Sequence, residues 1–142
     1  MMIPAALLAL VSFVLHFAWE SEHLTLYTGY EGISGPFPVT LYAALGDVVY
    51  TLGAYLVIAL LLRSPDWPLG ASRRSYALLV VLGLSIALFV EWKAALLSRW
   101  EYAEAMPTLF GIGFSPLVQM ALLLPLSVYL SAELCLFLRK KG

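Results

Sequence analysis

Four runs of apolar residues, each closed by polar or turn-forming residues, take up most of the chain: Met2–Trp19, Val39–Leu62, Ser75–Leu97 and Ser115–Leu138. About 18–20 consecutive apolar residues in a helix cross the hydrocarbon core of a bilayer. The pattern therefore predicts four transmembrane helices over roughly 2–22, 39–62, 75–98 and 115–139. The connections are short and rich in turn formers. "TGYEGISGPFP" cannot be helical throughout, and "RSPDWPLGASRR" carries two prolines and a glycine. The longer "RWEYAEAMPTLFGIGF" is expected to fold back over the helix ends. Val39 or Thr40 opens the second helix after Pro38, Ser72 or Ser75 caps the third, and Ser115 caps the fourth with Pro116 at its first position. Pro125 falls inside the fourth span, where a proline kinks a helix.

Composition sharpens this picture. Of 142 residues, 62% are apolar and 12% charged, against about 45–50% and about 25% in soluble domains. The expected architecture is all-α: a polytopic membrane protein whose single domain, residues 1–142, is an up-down four-helix bundle. The first run lacks a basic leader and a small-residue cleavage site, so it reads as a retained helix rather than a signal peptide. A lone Cys135 forms no intrachain disulfide. Charge placement then orients the bundle. Arg63, Arg73 and Arg74 flank the second loop, and Arg139, Lys140 and Lys141 end the chain. Basic residues mark the cytoplasmic side. Both termini are expected in the cytoplasm, and the protein is expected as a multi-pass component of a bacterial inner membrane. Trp67 reads as an interfacial anchor. The small residues Gly46, Gly53, Ala54, Gly83 and Ala87 suit close helix contact in lipid.

Polar residues inside the spans carry the candidate chemistry. At about 1.5 Å per residue, His16 lies about a turn below one surface, Asp47 about 12 Å, Glu91 about 9 Å and Gln119 about 6 Å below it. All four helices thus place a polar group in one layer, the outer third of the bilayer. A charge at a helix centre costs about 2.5–3.5 kcal/mol, so such groups face the bundle interior, have partners and mark functional sites. Asp47, with Tyr50 beside it and Thr51 one turn on, forms a polar track; a bundle-holding hydrogen bond is the plainer alternative. Asp47, Glu91 and His16 are the candidate acid–base residues. Glu20, Tyr50, Thr51, Trp92, Arg99, Trp100, Tyr102 and Gln119 are the candidate binding residues. Arg99 is expected to lean toward Glu20 or Glu91, or to hold an anionic head group. Helical spacing also puts His16, Glu20 and His23 within about 60° on one face, which admits a metal ion; the alternative is that Glu20, Glu22 and His23 are the wet end of the helix and His16 is a hydrogen-bonded interior histidine.

The segments "HFAWE", "GDVVYT", "EWKAALLSRWEYAEAMP" and "GIGFSPLVQ" resemble a group of small bacterial four-helix integral membrane proteins along nearly the whole chain. The resemblance implies the fold and carries no activity. In layout alone the chain is also similar to sterol-isomerase-type proteins, whose small bundles hold a lipid beside acidic and histidine residues. No nucleophile motif, phosphate loop or dinucleotide fingerprint occurs. Nothing points to nucleic acid. The expected partners are membrane lipids and a small amphipathic ligand, bound or chemically transformed. The rival readings are an oligomeric transporter or proton-coupled carrier, which needs a homo-oligomer because four spans are too few for a pathway, and an accessory subunit of a larger membrane complex.

Overall fold

The computed structural model describes residues 3–141. Met1, Met2 and Gly142, included in the expected domain, and the expected helix start at residue 2 lie outside the described residues. Four helices dominate: α1 (Ala5–His23), α2 (Val39–Leu62), α3 (Arg73–Leu96) and α4 (Phe114–Lys141). All four are long and apolar enough to cross a membrane. They pack in a ring in which α1 lies against α2 and α4, and α3 lies against α4. The α2–α3 seam is the loosest of the four neighbouring contacts. Each helix buries one stripe. On α1 it is Leu8, Ser12 and His16, and on α3 it is Ser75, Leu79, Gly83, Ala87, Glu91 and Ala94. The remaining surface is apolar too: Leu60, Val49, Leu96 and many others are exposed. Amphipathic patterning therefore does not place these helices. The few interior polar residues do, because burying them unpaired costs more than burying a leucine.

Small residues set the closest approach. A Cβ added at Gly83 would collide with the carbonyl of Met120 on α4, whereas one added at Gly46 or Gly53 would meet nothing within 4 Å. Gly83 alone of these three glycines is a helix-contact residue; Gly46 borders open space. At the end of the bundle that carries the α1–α2 and α3–α4 connections, two short ladders replace the expected loops. Strand β1 (Tyr27–Thr28) pairs antiparallel with β2 (Glu101–Tyr102), which ties the two connections together. Strands β3 (Thr108–Leu109) and β4 (Ile112–Gly113) form a hairpin around Phe110 and Gly111, both at positive φ. Positive φ at both central residues matches the right-handed twist of the flanking strands.

Other expectations shift by a residue or two, or change role. Helix α3 starts at Arg73 with Ser72 as its cap, accepting from the Ser75 amide at 3.3 Å. It stops at Leu96 because Ser98 turns to a φ of 49°. Helix α4 starts at Phe114, so Ser115 is free for another partner. Trp67 is not an interfacial anchor: it is 5% exposed, stacks on Tyr55, and donates its indole N–H to the Tyr55 carbonyl.

At the end of the bundle away from the two ladders the interior is apolar, built from Leu8, Ile58, Leu79, Leu124 and Val128. Ser127 and Ser131 lie within it, but each donates to a carbonyl one turn back on α4. The packing at Gly83 is testable. Gly83→Ala is expected to destabilise the protein by about 1–3 kcal/mol, the cost of overpacking. Gly53→Ala is expected to be neutral or stabilising by up to about 1 kcal/mol. Thermal unfolding of both variants in detergent reads the contrast, and equal melting points would contradict it.

Candidate functional site

The C-terminal ends of α1 and α3 and the N-terminal ends of α2 and α4 meet at the ladder end of the bundle. His16 lies on the buried stripe of α1 and Glu20 stands one turn further along. Asp47 sits beside the buried Val48 on α2, and Gln119 is buried on α4. The Gln119 amide draws them together. Its Nε2 donates to Glu20 Oε1 at 2.8 Å and to Asp47 Oδ2 at 2.9 Å. His16 Nδ1 lies 3.1 Å from the same nitrogen and 3.2 Å from Asp47 Oδ2.

Proton counting assigns the roles. An amide nitrogen carries two hydrogens, and two carboxylate oxygens take them. His16 Nδ1 therefore carries a proton of its own and donates it to Asp47 Oδ2. Its other nitrogen, Nε2, is fully buried and has no partner among the described residues. Asp47 thus orients the imidazole, the arrangement by which a carboxylate sets the tautomer of a histidine base. One turn inward, the Ser12 hydroxyl donates to Thr51 Oγ1 at 3.0 Å and the Thr51 hydroxyl donates to the Asp47 carbonyl at 2.9 Å. The Trp19 indole donates to Ser115 Oγ at 3.2 Å and joins α1 to α4 at the rim.

Glu91 stands apart from this cluster, on α3. Its Oε2 accepts from the Tyr102 hydroxyl at 2.5 Å and from the Trp100 indole at 3.4 Å. The β1–β2 pairing makes this possible by holding Trp100 and Tyr102 over the end of α3. Gly113 helps as well, since a Cβ there would press on the Tyr102 ring at 2.9 Å. Burial, then the bond to Glu91, pushes the Tyr102 phenol up to about 12. Burial also raises Tyr27 well above the ordinary phenol range, with the nearby Glu91 and Glu20 adding to it.

Between the two groups lies a cavity of about 500 Å³. Its polar wall is Glu20, Asp47, Gln119, Glu91 and Arg99, from all four helices and the α3–α4 connection. Its apolar wall includes Leu45, Val49, Ile86, Val90 and Met120, and Tyr27, Tyr30, Ile33, Tyr42, Tyr50 and Trp100 border it as well. Leu45 and Val49 are also exposed on the outside of α2, so the cavity opens between α2 and α3.

Several expectations change in this geometry. Thr51 is fully buried below the cavity rather than on its wall. Tyr102 reaches Glu91 from outside the cavity, because the β2 strand holds it there. Trp92 is 61% exposed and packs against Phe89 on the outer face of α3, one residue and so about 100° from Glu91. Arg99 does not neutralise a carboxylate: its guanidinium donates to the Tyr42 hydroxyl at 3.4 Å. The expected metal set is split. His23 stacks on Trp19 at 4.3 Å and its Nδ1 meets the Trp19 carbonyl at 2.9 Å, whereas His16 and Glu20 both reach Gln119. Among the described residues no three His, Cys, Asp or Glu side chains are placed to hold a metal ion.

Tyr27, Tyr30 and Tyr42 border the cavity without having been singled out in the sequence, and Gly46, expected as a helix-contact residue, borders it too. For Tyr42 and Gly46 a signal existed, since they share the face of α2 that carries Val49 and Tyr50 at helical spacing. Comparison with known protein families, with curated proteins and with solved structures finds no match to this chain.

Two measurements check the site. Gln119→Leu leaves two half-buried carboxylates without their shared donor, and it is expected to cost about 1–3 kcal/mol of stability. A variant as stable as the parent in thermal unfolding would contradict the bridge. The raised Tyr102 pKa gives a pH dependence with a definite sign. The folded state favours the neutral phenol, so this contribution is complete below the ordinary value of 10.0 and is lost as pH rises toward about 12. Stability is therefore expected to fall between those limits, and to fall less in Tyr102→Phe. Equal slopes for parent and variant would refute it.

Proposed function

We propose that this chain is a multi-pass membrane protein that binds a lipid-like or small amphipathic molecule, with both termini on the cytoplasmic side and the cavity in the outer third of the bilayer. The basic residues around the α2–α3 connection and the C-terminus support that orientation. The single observation that carries the binding reading is the cavity of about 500 Å³ with carboxyl groups from three helices on its wall and an apolar cleft beside them. Ligand sites have this size and this composition, mostly apolar with a few convergent polar groups. Buried acids in a spanning bundle cost several kcal/mol, which a purely structural role does not need. The apolar packing at the opposite end of the bundle favours a closed pocket over a polar route through it.

The same residues suit proton transfer. Asp47 holds the proton of His16 Nδ1 in place, and Glu20 lies on the other hydrogen of the Gln119 amide. A ligand carbon or heteroatom above Asp47 and Glu20 would meet a carboxyl group able to give or take a proton. Glu91, on the facing wall and held by Tyr102 and Trp100, would supply the opposing carboxyl.

The test is the content of the pocket. Protein purified in mild detergent is expected to retain a small amphipathic molecule, detectable by mass spectrometry of the extracted sample. Asp47→Asn and Glu91→Gln are each expected to remain folded and to lower that retention by about tenfold or more, the value of one charged hydrogen bond. Retention unchanged in both folded variants would return the acids to a structural role.

A further inference from the structure

The charge balance of the cavity bears on what kind of head group it takes. Three carboxyl groups border it, from Glu20 on α1, Asp47 on α2 and Glu91 on α3. Arg99 is the one basic side chain on the wall, and its guanidinium is turned to the Tyr42 hydroxyl. Among the described residues no lysine or arginine lies within ion-pair distance of Glu20, Asp47 or Glu91; the close pair is His16 with Asp47. Beside that pair, the donors to these acids are the Gln119 amide, the Trp100 indole and the Tyr102 hydroxyl, none of which is a cation. Such a wall is electrostatically incomplete, and a positive charge in the cavity completes it.

The rest of the lining fits the same head group. Tyr27, Tyr30, Tyr42, Tyr50 and Trp100 surround the space, and aromatic faces attract ammonium groups through the ring quadrupole, more strongly where water is excluded. An anionic head would meet three acids and a neutral one brings no charge to them, whereas a protonated nitrogen can donate to all three. The body of the ligand is set by the seam. The cleft between α2 and α3 is walled by Leu45, Val49, Ile86 and Val90 and opens at the exposed sides of Leu45 and Val49. These are surfaces that face acyl chains if the helices span a membrane. Entry is then sideways, from the lipid layer rather than from water.

We propose that the pocket recognises a membrane-resident amine: a protonated nitrogen seated among Glu20, Asp47 and Glu91, with its apolar body lying in the α2–α3 cleft. This rests on the pocket reading above and narrows it to one chemical class.

The experiment compares three probes that share one chain and differ in head group: dodecylammonium, dodecanol and dodecanoate. Each is titrated against the full chain in maltoside micelles, and retention is read by native mass spectrometry. The ammonium is expected to be retained at least about tenfold more tightly than either other probe. Glu20→Gln, Asp47→Asn and Glu91→Gln are each expected to narrow that preference. Because the parent protein alone supplies the head-group comparison, the outcome does not depend on every variant folding. Equal or tighter retention of dodecanol or dodecanoate overturns the amine assignment and leaves the pocket reading standing. A preference undiminished in all three variants overturns the placement of the nitrogen. Retention of none of the three probes overturns both readings.

Discussion

One primary amide holds the centre of this molecule together. Gln119 sits where two other helices, α1 and α2, would otherwise bring two carboxyl groups and an imidazole into apolar surroundings with too few donors among them. An unpaired polar group in such a place costs far more than an average interhelical hydrogen bond returns. The positions of α1, α2 and α4 are therefore coupled through a single side chain. The neighbouring bonds, Ser12 to Thr51 below and Trp19 to Ser115 above, keep the same helix pairs in register along their length. In bundles whose outer surfaces are as apolar as their interiors, such contacts decide which face turns inward.

The remaining helix, α3, is attached differently, and the cavity follows from that difference. Helix α3 is packed tightly on α4 at Gly83, where only a missing side chain allows the approach. It makes its weakest neighbouring contact with α2. Gly46 on α2 and Ala87 on α3 both line the cavity, and neither carries a side chain large enough to fill it. Glu91 faces this gap and takes its hydrogen bonds from Trp100 and Tyr102, residues of a connection rather than of a helix. The two-residue β1–β2 ladder is thus a positioning device: it fixes the donors that hold one acid opposite two others.

The extent to which this was legible in the sequence depends on the physical signal. Four helices followed from length and hydropathy, which hold whatever the neighbours do. The shared depth of His16, Asp47, Glu91 and Gln119 followed from helical rise alone, and Gln119 does meet His16 and Asp47. Rotation was harder to read. Trp92 adjoins Glu91 in sequence but is turned about 100° away onto the outer face, while Trp67, read from its loop position as an anchor, packs inside against Tyr55. The hydrophobic pattern could not distinguish these faces because nearly every position is apolar. The short strands were invisible for another reason: two-residue ladders carry no periodicity, and their pairing depends on how the helix ends are arranged. His23 shares helical spacing with His16 and Glu20, but the Trp19 carbonyl and ring hold it at the helix end.

The central claim is that acids from separate helices converge on the Gln119 amide beside an open seam. Solid-state NMR on the full chain in lipid bilayers measures this directly, through the dipolar coupling between a ¹⁵N-labelled Gln119 side chain and the ¹³C-labelled carboxyl carbons of Asp47 and Glu20. The account predicts strong coupling to both, as expected for Nε2 within 2.9 Å of a carboxylate oxygen on each. Coupling to neither carbon, or to only one of the two, would contradict it.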